Sequence, residues 1–305
     1  MSALLSPSPR SVTVTKLRAA GCVFAEDEAR LLISAARTPA ELTAMVDRRV
    51  AGLPLEHVLG WADFCGLRIG VDPGVFVPRL RTEFLVREAA AARQAATPAG
   101  QARAQPPAVV LDMCCGSGAV GAALAAALDR VELYAVDIDP AAVRCARRNL
   151  PVDGHVFEGD LYEPLPEELQ GRVDVLVANA PYVPTQAMGL LPPEARLYEP
   201  RVALDGGADG LEIQRRVIGS APRWLAPGGF LLVESSEDQA PQLAAISTRH
   251  GLITRVDSSA ALGATAVIGT RPSPRSDGAR AEPRPLTRSG EPSLPRSISA
   301  AGPPV

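Results

Sequence analysis

The sequence predicts an α/β chain in which a doubly wound, mainly parallel sheet of seven strands follows a small helical segment and a β-hairpin. Three observations carry this. From Ala108 onward, short apolar runs alternate with stretches of helical periodicity, and such alternation implies right-handed crossovers on a parallel sheet. The first of those runs leads into Gly116-Ser117-Gly118, with Gly121 next and Asp137 closing the following run. Before residue 60, apolar residues recur three or four apart instead.

The elements follow in order. Residues 1–13 begin rich in Ser and Pro and are expected to lack order. From 14 to 60, Leu17, Ala20, Val23, Leu31, Leu32, Ala35, Leu42, Met45, Val46 and Val50 give a helical domain. Residues 61–80 are read as a β-hairpin linker turning at Asp72-Pro73-Gly74. A helix over 81–93 opens a domain that extends to residue 270, and the Ala/Pro/Gln stretch 94–107 is a mobile spacer. Strands are expected at 108–114, 131–137, 154–160, 173–179, 229–235, 253–257 and 264–270, and helices at 118–128, 140–149, 209–224 and 237–250. The last two strands lie too close for a crossover, so one of them must run antiparallel. Residues 271–305 hold eight prolines and no aromatic residue, which predicts a disordered tail.

Composition narrows the function. The net charge is -3, and the tail carries six Arg against three acids, leaving residues 1–270 near -6. An acidic ordered region gives no long-range hold on a phosphate backbone, so no direct nucleic-acid contact is expected. Five cysteines without CxxC spacing argue against a disulfide framework and a zinc site, so no metal is expected. No apolar run approaches the about 18 residues of a membrane span, and no signal peptide is visible, so a cytoplasmic location is expected.

The glycine turn can hold two kinds of ligand. Gly116, Gly118 and Gly121 match GxGxxG, with Asp137 placed to accept ribose hydroxyls, so a dinucleotide fits the pattern. Asp112 lies four residues before Gly116, where its charge would repel a pyrophosphate and attract an ammonium. Asp139, directly before Pro140, reads as a helix N-cap. Asp160, in Glu158-Gly159-Asp160-Leu161, serves either an adenine edge or a turn.

The fourth strand ends Asn179-Ala180-Pro181-Tyr182. An Asn oxygen and a backbone carbonyl can accept both hydrogens of an NH2 group, while a ring stacks on the flat group carrying it. Holding the nitrogen this way catalyses transfer largely by positioning and needs no ionised base. His57, His155 and His250 are scattered, which suits such a site.

In these motifs the chain resembles the HemK/PrmC-like protein-(glutamine-N5) methyltransferases over about residues 14–270. The resemblance also rests on Val77-Pro78-Arg79 through Thr82-Glu83, Asp137-Ile138-Asp139-Pro140, Tyr198-Glu199-Pro200, Asp209-Gly210-Leu211 and Leu225-Ala226-Pro227-Gly228-Gly229. It implies a Rossmann-like class I fold using S-adenosyl-L-methionine and releasing S-adenosyl-L-homocysteine. It implies methylation of a Gly-Gly-Gln glutamine in a peptide-chain release factor, or of another glutamine-bearing protein. The implied cofactor residues are Asp112, Cys115, Gly116, Gly118, Asp137, Ile138, Asp160, Leu161 and Asn179. The implied catalytic residues are Asn179, Ala180, Pro181 and Tyr182, and 14–60 would grip the partner.

The chain departs from the family pattern at Ala180, where a first proline is usual, at Cys114 in place of a glycine, and at Ser235-Ser236 after Glu234. Two alternatives therefore stand beside the resemblance. One is an enzyme acting on exocyclic amino groups of adenine or guanine, and the other is a catalytically silent cofactor-binding relative.

Overall fold

A computed structural model describes residues 8–96 and 106–273. The expected loose N-terminus, spacer and tail therefore lie mostly outside the described residues.

Four helices come first: α1 (Pro9–Ala19), α2 (Ala25–Ala35), α3 (Pro39–Val50) and α4 (Leu55–Leu59). Helix α1 starts earlier than the sequence reading placed it, because Ser8 caps it by accepting from the Ser11 N–H at 3.2 Å ahead of Pro9. Thr38 caps α3 in the same way, at 3.1 Å from the Glu41 N–H. Their apolar faces meet in Leu17, Ala25, Ala29, Leu32, Met45, Val46 and Val58.

One ion pair is buried in this cluster. The Arg49 side chain, 9% exposed, donates to both Glu28 oxygens at 2.7 and 3.0 Å and to the Leu53 carbonyl at 2.9 Å. Its Nη1 also reaches Glu194 at 2.6 Å, in α8 (Pro193–Tyr198) far along the chain. Nearby, the Tyr198 hydroxyl donates to the Ala51 carbonyl at 3.1 Å.

The hairpin pairs β1 (Trp61–Phe64) with β2 (Leu67–Gly70). It turns at Cys65-Gly66, not at Asp72-Pro73-Gly74. Phe64 pairs directly with Leu67, and both turn residues have positive φ, 50° and 75°, the requirement of a two-residue type I′ turn. Asp72-Pro73-Gly74 makes a separate turn, closed by the Val75 N–H to the Asp72 carbonyl at 3.1 Å. Glu83 accepts from the Cys65 N–H at 2.8 Å and braces the hairpin.

A 3-10 turn (Leu80–Thr82) leads into α5 (Glu83–Ala96), which continues three residues into the expected spacer. Then come β3 (Ala108–Met113), α6 (Ala119–Ala127), β4 (Val131–Asp137), α7 (Pro140–Asn149), β5 (His155–Glu158) and β6 (Val173–Ala178). After α8 the chain forms α9 (Glu212–Trp224), β7 (Leu225–Ser235), α10 (Ala240–Arg249), β8 (Ile253–Ser259) and β9 (Ala264–Thr270). Arg271, assigned to the tail by the sequence, extends the β7–β9 ladder by exchanging bonds with Gly228 and Gly229 at 2.9 Å.

The strand order is β5-β4-β3-β6-β7-β9-β8, with β9 reversed between β7 and β8 and the pairings from β5 to β7 parallel. This is the fold of class I methyltransferases. Alternate residues of β3 face opposite layers, with Leu111 and Met113 against α9 and α10, and Val110 against α5 and α6. Among the described residues, no helix is long and apolar enough to cross a membrane.

Cutting Arg49 to Ala strands the buried Glu28 carboxylate, so unfolding free energy should fall by about 3 kcal/mol in urea titration. An Arg49→Met, Glu28→Leu double variant should recover most of that loss. If the single variant were as stable as wild type, the buried pair would not hold the helices together.

Candidate active site

Strand order reverses between β3 and β6, so the crevice outside their carboxyl ends is the natural ligand position. Met113 pairs with Ala178 in parallel register, and this sets the Cys114 loop beside Asn179. A cleft of ≈1100 Å³ opens there, and Asp112, Cys115, Gly116, Asp137, Ile138, Asp160, Leu161, Asn179 and Pro181 all line it.

Gly118 does not line it. Its φ of 78° starts α6, and an added Cβ would stand 3.1 Å from the Ala146 side chain of α7. Its lack of a side chain serves helix packing. Cys114 also takes a positive φ, 58°, so the turn carries a thiol in a backbone shape that favours glycine. Burial pushes the Cys114 and Cys115 thiols well above their ordinary range, which keeps them protonated and inert.

The acids are held individually. Asp112 is 2% exposed and accepts from the Gly121 N–H at 2.8 Å, at the start of α6. Burial raises its pKa to about 7; the Gly121 bond opposes that rise and the Asp137 charge adds to it. Asp137 accepts from the Gly116 N–H at 2.8 Å and the Asp139 N–H at 2.9 Å, one on each oxygen. Burial raises it as well, against those bonds. Asp139 caps α7, accepting from the Ala141 N–H at 2.8 Å. Asp160 pairs with Arg216 of α9 at 2.6 Å, and both line the cleft.

A second cavity of ≈950 Å³ adjoins the first, lined by Ala180 and Tyr182 together with Asn179, Pro181, Phe76 and Arg81. Asn179 and Pro181 belong to both cavities. The Asn179 Nδ2 donates to the Thr82 hydroxyl at 3.2 Å, which leaves its Oδ1 as a free acceptor. The loop after β6 is backed by Gly206, where an added Cβ would lie 2.7 Å from the Pro181 carbonyl and 2.8 Å from the Tyr182 Cα. Gln239 donates to the Tyr182 carbonyl at 3.0 Å.

Sequence reasoning gave no role to Thr82, Arg216, Gln239 or the acceptor Glu234, which takes the Tyr182 hydroxyl at 3.3 Å. Only Thr82 had a local signal, its place in the linker motif ending at Glu83. Two of the three histidines are structural: the His57 ring bonds the Val75 carbonyl at 2.9 Å, and His155 stacks on Tyr134 at 5.0 Å. Among the described residues, no group of three or more His, Cys, Asp and Glu could hold a metal ion.

Asp112 makes stability depend on pH. Its folded pKa of about 7 lies above the unfolded value near 4, so between those values only the folded chain keeps the proton. Its contribution to stability therefore falls as pH rises from about 4 to about 7 and is level above. Asp112→Asn should stabilise the protein relative to wild type at pH 8 by on the order of 2–4 kcal/mol, and much less at pH 5. An equal difference at the two pH values, by chemical denaturation, would contradict the raised pKa.

Known proteins resemble this chain over much of its length. A family model described as the methyltransferase small domain matches residues 101–190. A release factor glutamine methyltransferase of Geobacter sulfurreducens is 39% identical over 239 residues, covering 76% of this chain and 79% of that protein. One of Streptomyces coelicolor is 39% identical over 212 residues, covering 68% and 71%. A 4-amino-L-phenylalanine/4-methylamino-L-phenylalanine methyltransferase of Streptomyces pristinaespiralis is 35% identical over 207 residues, covering 68% and 69%. At that identity and coverage, this chain belongs to the release factor glutamine methyltransferase family.

Proposed function

We propose that this protein transfers a methyl group from S-adenosyl-L-methionine to the side-chain amide nitrogen of a glutamine in a peptide-chain release factor, in its Gly-Gly-Gln loop, releasing S-adenosyl-L-homocysteine. The observation that carries this is the position of Asn179, shared between the cofactor cleft and the adjoining cavity.

The cleft suits that cofactor. Buried Asp112 is a counter-charge for an ammonium, since a cation beside it would offset the burial that raises its pKa. Asp137 is fixed by two backbone N–H groups and keeps further lone pairs for ribose hydroxyls. Ile138 and Leu161 give apolar walls for a base, and Asp160 offers an acceptor for its amino edge. The bound cofactor supplies an electrophilic methyl on a sulfonium.

The protein's part is to hold the acceptor. Thr82 fixes the Asn179 amide so that Oδ1 accepts one N–H of the substrate amide, and the Ala180 carbonyl accepts the other. The Tyr182 ring lies against the amide plane. With both N–H bonds engaged in the plane, the nitrogen presents its face to the methyl and, once methylated, releases one N–H proton to water, so positioning does the catalysis. Pro181 keeps Ala180 extended although the usual first proline is missing. Residues 14–60 we assign to gripping the partner, joined to α8 through Arg49 and Glu194.

Labelled S-adenosyl-L-methionine and purified release factor should give one added methyl on the Gly-Gly-Gln glutamine, read by peptide mass spectrometry. Asn179→Ala should lose roughly 100- to 1000-fold in kcat while still binding cofactor. A methyl on any other residue, or an Asn179→Ala protein as active as wild type, would overturn the assignment. The aromatic amine named for the Streptomyces pristinaespiralis relative is the second acceptor to offer: transfer to 4-amino-L-phenylalanine alone would reassign the acceptor class.

A further inference from the structure

One buried acid has no part in the chemistry above. Val233 pairs with Ala178, so Glu234, the penultimate residue of β7, lies beside Asn179. It is 3% exposed, and its Oε1 accepts from the Arg81 Nε at 3.2 Å and the Tyr182 hydroxyl at 3.3 Å. Its Oε2 has no protein partner among the described residues. Bonds to a charged group usually run about 2.7–2.9 Å for N–H and shorter for O–H. Two long bonds on one oxygen are a weak return for taking a carboxylate out of water. Stability alone does not account for an acid at this place.

Both of its partners belong to the acceptor site. Tyr182 is the aromatic member of the Asn-Ala-Pro-Tyr loop, and the Arg81 guanidinium stands 5.9 Å from its ring centroid. Both line the second cavity, whereas Glu234 lines neither cavity and so cannot touch the amide. The loop also has one proline fewer than the family pattern, hence more backbone freedom to remove. Side chains must restrain it instead: Glu234 at the Tyr182 hydroxyl and Gln239 at the Tyr182 carbonyl.

We propose that Glu234 is a positioning residue: through the Tyr182 hydroxyl and the Arg81 guanidinium it fixes the tilt of the Tyr182 ring, and thereby the plane in which the acceptor amide is held. This rests on the reading of the site as a glutamine methyltransferase and adds to it the residue that orients its aromatic wall. A carboxylate placed for orientation separates activity from stability, because removing its charge relieves the burial penalty while loosening the ring.

The test uses the full-length protein with Glu234→Gln, which keeps size and a hydrogen-bonding oxygen, Tyr182→Phe, which keeps the ring, and the double variant. Thermal midpoint, S-adenosyl-L-methionine affinity by calorimetry, and kcat and KM for the release factor are measured on each. Glu234→Gln should melt at or above the wild-type temperature and bind cofactor as wild type does, with kcat down roughly ten- to a hundredfold. The double variant should be no slower than the slower single, since both changes cut the same link. The inference is overturned if kcat is unchanged, if kcat and thermal midpoint fall together, or if the two losses multiply. Wild-type protein that methylates no release factor would remove the functional reading and this inference with it. An active wild type with an equally active Glu234→Gln removes only the inference.

Discussion

Parallel hydrogen bonding between β3 and β6 sets Met113 level with Ala178, and the two loops that leave those strand ends therefore share one crevice. One loop carries Cys115 and Gly116, the other Asn179 to Tyr182. Val233 sits level with Ala178 on the other side, which adds Glu234 to the same edge. A shift of one residue in either pairing would turn these side chains to the opposite face of the sheet. The apolar runs of β3, β6 and β7, buried on both faces, hold that register by packing against α5 and α6 on one side and α9 and α10 on the other.

Around this edge the protein handles its buried acids in two ways. Glu28 with Arg49, and Glu199 with Arg79, are closed ion pairs. Glu199 takes the Arg79 Nη2 at 2.5 and 2.6 Å and the Val77 N–H at 3.1 Å. The first joins α2 to α3, with Arg49 reaching on to Glu194 of α8, and the second joins the linker to the segment after α8; in either place a lone charge would be strongly unfavourable. Asp112 and Glu234 are only partly satisfied, and both lie at or directly behind the crevice. Incomplete satisfaction of this kind marks places where packing is subordinate to ligand handling.

The linker gives the clearest case of local signals misread. Asp72-Pro73-Gly74 is a stronger turn signature in composition than Cys65-Gly66, yet the hairpin turns at the latter. The deciding factor is tertiary. The Glu83 carboxylate takes the Cys65 N–H, and Asn149 of α7 bonds both the N–H and the carbonyl of Gly70 at 2.9 and 2.8 Å. The same Asn149 amide reaches the Ser117 carbonyl at 2.8 Å, so the hairpin is tied to the cofactor loop. Gly118 shows the converse: a motif glycine was visible, but its neighbour is a helix.

What the sequence determined by itself is whatever depends on residues close together along the chain. Strand and helix periodicities, the cap at Asp139, the glycine turn after β3 and the Asn179–Tyr182 motif were all legible, because hydrogen bonding and side-chain period act over a few residues. Tertiary structure decided what depends on groups far apart in the chain. The Thr82 hydroxyl on Asn179, the Glu234 carboxylate on Tyr182, the Arg216 guanidinium on Asp160 and the Glu194 tie to Arg49 each join distant segments. No local pattern encodes such pairs, since they exist only once the sheet has brought its strand ends to one edge and excluded water from it.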